Sequence, residues 1–173
     1  ERSKTHYIPF FEKLAKWFTE NIPSSVDEAI IHNDYKLNNL IFSYHDIGKI
    51  EAVLDWEMAT IADPFFDLAV ALGYWTEPGD WEEVKKSLPS LTTSPGFITR
   101  DEFIHRYSVK TGKDVPSLEF HMAFVYFKIA VVMQQIYFRW YKGQTTDRRF
   151  ETLDQSVKSL MGYAHHIVET GKY

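Results

Sequence analysis

The sequence predicts an α+β fold, mostly α-helical, with a small block of strands set between one leading helix and an all-helical remainder. Three observations lead there. Three short runs rich in β-branched and aromatic residues, "EAIIH", "NLIFSY" and "KIEAVLDW", crowd between residues 28 and 56. From Asp63 onward the apolar residues recur at helical spacing. Apolar residues make up 45% of 173 and aromatics 16%, enough for one sizeable core and too much for a disordered chain.

Taken in order, "HYIPFFEKLAKWFTENIP" reads as an amphipathic helix with Phe10, Leu14, Trp17 and Phe18 on one face and Pro23 as its stop. The three strands follow, the last two joined by the turn "HDIG" into a hairpin. In "ADPFFDLAVALGYW", Asp63 is placed to cap a helix, with Pro64 at the first helical position, where its missing N–H costs nothing. Further helices are expected over Trp81–Ser87, Arg100–Thr111, Ser117 to about Tyr141, and Arg148 to about Thr170, with "KGQTTD" parting the last two. Phe120, Phe124 and Phe127 fall on one helical face and read as core.

Composition narrows the function classes. The net charge of −5 is spread without a basic run, which argues against a nucleic-acid partner. The absence of cysteine rules out disulfides and thiolate metal sites and is compatible with a cytoplasmic location. No secretory leader is visible at the start. The most apolar run, Met122 to Phe138, contains Lys128, Gln134 and Gln135 and is too short and too polar to span a membrane.

The informative stretch is "IIHNDYKLNNLIF", Ile30 to Phe42, where His32, Asn33, Asp34, Lys36, Asn38 and Asn39 sit between two runs that want burial. A solvated loop would be built from Gly, Pro and Ser, and this one has none of them. With the hairpin turn centred near Ile47, partner numbers sum to about 94, so Phe42 faces Ala52, Leu40 faces Leu54, and Asn39 faces Asp55. Cross-strand partners point to one side with Cβ atoms ~5 Å apart. Asn39 and Asp55 then offer a neutral and a charged oxygen together, a plausible grip on Mg²⁺. Asp34 would lie close by. A rigid hairpin with a polar open end is preorganised for phosphate and metal.

His32-x-Asp34-x-x-x-x-Asn39, followed about 16 residues later by Asp55-Trp56-Glu57, resembles the catalytic segment of the protein-kinase-like superfamily. The tail "DWEMATIADPFFDLA" narrows the resemblance to the aminoglycoside phosphotransferase and choline kinase branch, and "FKIAVVMQQIYFRWYKGQ" is similar to the phosphotransferase-like domains related to those fused to acyl-CoA dehydrogenases. The resemblance covers most of the chain from about Ile30 onward and implies a kinase-like C-terminal lobe. It makes Asp34 the acceptor of the substrate hydroxyl's proton, His32 a brace of the loop, Lys36 a contact to the transferring phosphoryl group, and Asn39 and Asp55 the Mg²⁺ ligands that bridge the phosphates of ATP. Asp63 and Asp67 would anchor the next helix against the loop, and Glu57 lies near the metal in some relatives. Three positions depart from the family pattern: Asn33 and Ala62 stand where glycines are usual, and Asn38 replaces a common Asp.

The same resemblance implies an N-terminal lobe that closes over ATP. None of the eight glycines forms G-x-G, and no strand with an embedded lysine precedes the first helix. The expectation is therefore that residues 1–173 form the C-terminal lobe alone, with the catalytic loop and hairpin at about 28–56 and a helical subdomain at about 63–173. Such a lobe catalyses little by itself, and its lobe-facing surface is open to self-association. The leading functional expectation is an ATP- and Mg²⁺-dependent phosphotransferase acting on a hydroxyl of a small molecule, with Glu77, Asp80, Glu82 and Glu83 as candidate contacts to a cationic acceptor. The alternatives are a non-catalytic kinase-like binding module and a metal-dependent hydrolase using His32 and Asp34 as ligands.

Overall fold

The computed structural model describes residues 3–24 and 27–173; Glu1 lies outside them. Helix α1 (Phe11–Glu20) turns Leu14 and Phe18 into the core and keeps Trp17 half-buried, the face expected from the spacing. Phe10 starts the helix in the left-handed region at φ 62° and remains partly exposed.

Four strands follow, one more than the sequence suggested. They form two antiparallel ladders: β1 (Ala29–Ile31) with β4 (Thr60–Ala62), and β2 (Leu40–Phe42) with β3 (Ile50–Val53). β4 is three residues long, and its pairing with β1 closes the segment between them into one loop system. Ala62 lies in this ladder opposite Ala29, so this position does not need glycine's freedom.

The hairpin register differs from expectation by one residue. Leu40 pairs with Val53 and Ile41 with Ala52, while Phe42 pairs with Ile50, leaving Glu51 as the extra residue of a bulge. Two local features explain this. The Asp46 carboxylate accepts the Gly48 N–H at 2.9 Å and the Asp46 carbonyl accepts that of Lys49, which draws the turn toward Asp46. The bulge then shifts the ladder back by one. Asn39 consequently lies opposite Leu54, whose N–H donates to the Asn39 carbonyl at 2.8 Å, and Asp55 falls beyond the ladder. Because a one-residue slip reverses the face of every side chain, the side-by-side placement of Asn39 and Asp55 through strand pairing does not hold. Asp55 instead leaves β3 in the left-handed region at φ 68°, and that bend sets its direction.

Helix α2 (Phe65–Tyr74) begins as expected, with Asp63 Oδ1 accepting the Phe65 N–H at 2.9 Å. Its residues Leu68 to Gly73 are all buried, so α2 is the central helix. Gly73 allows it to pack closely: a Cβ there would lie 2.6 Å from Val125 Cγ1 on α5 (Glu119–Tyr141). Between them come α3 (Glu82–Ser87) and α4 (Arg100–Thr111), the latter opened by a Thr99–Glu102 capping box and closed by Gly112 at φ 68°. Helix α6 (Leu153–Thr170) packs along α5, starting later than expected because Arg148–Phe150 form a separate 3₁₀ turn. Leu72, Met122, Tyr126, Leu160, Met161 and Ile167 meet in the core. Phe120, Phe124 and Phe127 surround Phe18 with ring centroids 5.2–5.4 Å away. Among the described residues no helix is long and apolar enough to cross a membrane.

Candidate active site

The β1–β4 ladder ends at Ile31, and the next three residues are fixed from three sides. From α2, the Asp67 carboxylate accepts two backbone N–H groups, His32 through Oδ2 and Asn33 through Oδ1, each at 2.6 Å. Charge-assisted bonds of this kind are short and strong, and Asp67 spends both oxygens on the loop. From within the loop, the buried His32 ring accepts the Asp34 N–H at Nδ1 (3.2 Å), so its proton sits on Nε2, which donates to the Leu54 carbonyl at 2.7 Å. His32 therefore links the loop to the end of β3. With both nitrogens used, it has no lone pair for a metal, and among the described residues no three His, Asp or Glu side chains cluster to hold one. The hydrolase alternative fails on both counts.

From α5, Lys128 Nζ donates to the Asn33 carbonyl at 2.8 Å and to its Oδ1 at 2.6 Å. Asn33 occupies the left-handed region at φ 67°, a conformation asparagine tolerates better than most residues. The substitution for glycine thus leaves the backbone in a glycine-like conformation and adds a side chain that α5 can hold. Burial pushes the Lys128 ammonium below its ordinary pKa, while the Asp34 and Asp67 carboxylates oppose the shift.

Asp34 Oδ2 accepts from Lys36 Nζ at 2.7 Å and from Asn39 Nδ2 at 3.1 Å; the same Asn39 amide group also donates to the Asp34 carbonyl at 2.9 Å. Lys36 Nζ also lies 5.0 Å from the centre of the Tyr74 ring, whose hydroxyl burial and then the Asp34 charge push up to about 12. Three of the five expected residues, Asp34, Lys36 and Asn39, are thus in direct contact, and His32 is bonded to the Asp34 backbone. Asp55 stands apart: among the described residues its carboxylate makes no hydrogen bond or ion pair. It is exposed at the start of the 3₁₀ turn Trp56–Met58, which Trp56 pins by donating its Nε1–H to Val53 O at 2.8 Å while its ring rests 4.8 Å from that of His32.

By donor chemistry, though not through strand pairing, two unspent oxygens suit a hard divalent cation. Asn39 uses its amide NH₂ on Asp34, which leaves Oδ1 with no hydrogen bond among the described residues, and the Asp55 carboxylate is likewise unspent. Asp34, Lys36 and Lys128 line one cavity of about 250 Å³ whose remaining wall is mostly apolar, including Val70, Val125 and Ile129. Three of the four acidic residues expected to receive a cationic acceptor are engaged elsewhere. Asp80 makes a two-pronged pair with the buried Arg100 at 2.6 and 2.7 Å, Glu77 accepts the Arg100 N–H, and Glu82 pairs with Lys85. Lys128 is the contact to the loop that sequence reasoning missed. A charged residue interrupting the apolar run of α5 was its signal.

Comparison with known proteins places the chain in a family and a fold. The model of the APH phosphotransferase enzyme family matches residues 3–108. Acyl-CoA dehydrogenase family member 10 of Mus musculus is 30% identical over 159 residues, covering 91% of this chain and 15% of that protein. Acyl-CoA dehydrogenase family member 11 of Gallus gallus is 32% identical over 159 residues, covering 88% and 20%. The chain thus spans a fifth or less of these two relatives. Among solved structures, a putative aminoglycoside phosphotransferase from Ralstonia eutropha superimposes with a TM-score of 0.83 at 24% identity, over 96% of this chain and 51% of that one. At that identity the likeness speaks for a shared fold.

Proposed function

Since the chain belongs to the APH phosphotransferase enzyme family, we propose that its site moves the terminal phosphoryl group of ATP to a hydroxyl of a small molecule bound in the cavity beside Asp34. The observation that carries this reading is the Asp34 carboxylate, held by Lys36 and Asn39 and facing that cavity. In the proposed step the acceptor oxygen forms a bond to the γ-phosphorus and the bond from that phosphorus to the bridging oxygen breaks. The hydroxyl proton passes to Asp34, and ADP departs. Asp34 also orients the hydroxyl, and positioning of this kind is most of what the protein contributes to phosphoryl transfer. Lys36 is one side-chain swing from its Asp34 partner and supplies positive charge toward the equatorial oxygens. Asn39 Oδ1 and the Asp55 carboxylate would hold Mg²⁺. When bound, that ion supplies charge neutralisation on the phosphates.

The mostly apolar cavity wall and the commitment of Glu77 and Asp80 to Arg100 favour an acceptor with an apolar body over a polycation. The test is ADP release by the full-length polypeptide against a panel of hydroxyl compounds. The expected result is Mg²⁺-dependent turnover that falls by about 10²–10⁴ in Asp34→Asn, the usual range for losing a positioned base. In Asp55→Ala, Mg²⁺–ATP binding measured by calorimetry should weaken by at least tenfold. Mg²⁺–ATP binding without turnover on any acceptor identifies the non-catalytic module instead, and no nucleotide binding at all overturns the phosphotransfer reading.

A further inference from the structure

The loop that carries Asp34 is fastened at one residue by two different helices. Asn33 gives its N–H to Asp67 of α2 and receives, on its carbonyl and its side-chain oxygen together, the ammonium of Lys128 of α5. Both acceptors belong to one residue, so Lys128 fixes the Asn33 side chain and the peptide plane leading into Asp34 at once. Asn33 itself stands in the left-handed region at φ 67°, which asparagine visits more readily than most side chains. The bonds join residues 95 apart in sequence, and among the described residues no other donor reaches the Asn33 carbonyl or Oδ1.

We propose that Lys128 is a positioning residue for phosphoryl transfer: by chelating Asn33 it sets the direction of the Asp34 carboxylate, and it couples the catalytic loop to the helix that walls the acceptor cavity. The geometry gives the coupling its route. Val125, Ile129, Val132 and Met133 of α5 line the same cavity as Asp34, so a compound pressing on α5 presses on the residue that holds the loop. An ammonium has three N–H donors, and Asn33 takes two. The charged groups around Lys128 are Asp34 and Asp67, which favour its cation, and Lys36, which opposes it. A misplacement of the base by ~1 Å is enough to cost about a hundredfold in rate, so a residue that never touches the phosphate can control turnover.

The kinetic part rests on the phosphotransfer reading, and the structural part does not. Two measurements keep them separate. In the full-length polypeptide, Lys128→Met is expected to lower kcat at least tenfold while KM for ATP stays within twofold, and Lys128→Arg, which keeps a cationic donor, is expected to recover most of the loss. By hydrogen exchange, Lys128→Met should speed exchange across residues 32–36 at least tenfold and leave the amides of α6 unchanged. Should Lys128→Met not fold, Lys128→Gln, which keeps a donor without the charge, takes its place in both measurements. Wild-type kcat, or a lowered kcat with unchanged exchange across 32–36, overturns the proposal. If the wild-type polypeptide phosphorylates nothing, the phosphotransfer reading fails by itself, and the exchange measurement still decides whether Lys128 holds the loop.

Discussion

At the scale of single residues, the site is a set of unequal hydrogen-bond commitments. Asp67 and His32 spend all their polar atoms on backbone, which makes them structural; Asn39 spends only its amide hydrogens, and Asp55 spends nothing. These differences were legible in the sequence where spacing encodes them: His32, Asp34 and Asn39 lie within one loop, and Asp55 follows the second strand of the hairpin. The interruption of the apolar run marked Lys128, but its partner was not legible, because it lies 95 residues away. His121 shows the same limit. Buried against Asp63 at 3.3 Å through Nε2, it has no partner for Nδ1 among the described residues, so the imidazolium would carry an unsatisfied donor. Burial lowers its pKa, with Asp63 opposing. The sign follows: below about 6.5 the unfolded chain takes up a proton that the native ring resists, so the unfolded state binds more protons and stability falls as pH drops through that value. Urea melts at pH 7.5 and 5.5 should show this loss in the wild type and a smaller one in His121→Gln, which keeps a donor for Asp63 and does not titrate; equal losses would remove His121 as the cause.

At the scale of elements, helices were legible and strand pairing was less so. The α4 boundaries matched because a Thr99–Glu102 box and Gly112 write both ends into the local sequence, and α2 matched through Asp63 and Pro64. The hairpin register did not match, because it depends on the Asp46 side chain tightening the turn and on Glu51 bulging out, neither of which alternation reveals. β4 went unread because three residues paired to a distant strand carry no period. The close packing of α2 on α5 was equally silent, since it depends on the absence of a side chain at Gly73. Adding one methyl there puts a Cβ 2.6 Å from Val125 Cγ1, and the β-branched valine, itself buried, has little freedom to turn away. Gly73→Ala is expected to lower stability by ~1–3 kcal/mol, the usual cost of overpacking. Val125→Ala in the same chain should recover part of it, because the clashing atom is removed. Denaturant midpoints for the two single variants and the double variant test this. Additive losses would mean that the α2–α5 spacing is set elsewhere.

At the scale of the whole molecule, apolar surface is distributed unevenly. The helical half closes on itself around Leu72, Tyr126 and Leu160, whereas the strand half leaves Ile30, Ile41, Ile47 and Ile61 exposed by 74%, 44%, 84% and 69%. Ile30 and Ile61 are direct cross-strand partners, so they form one apolar spot, and both ladders have only two strands, each with an unpaired edge. An exposed apolar pair beside open strand edges is the kind of surface that another body can cover. The sequence reading expects a nucleotide-closing lobe there, and for the 173 residues alone we propose that a second copy of the same face takes its place. Sedimentation velocity on this chain should therefore show concentration-dependent association. Ile30→Lys with Ile61→Lys should shift the population to monomer without changing the helical circular dichroism signal, because neither side chain reaches the core. A wild-type chain that stays monomeric at hundreds of micromolar would show that two-stranded ladders this short protect their edges without a partner, and the exposed isoleucines would then need another explanation.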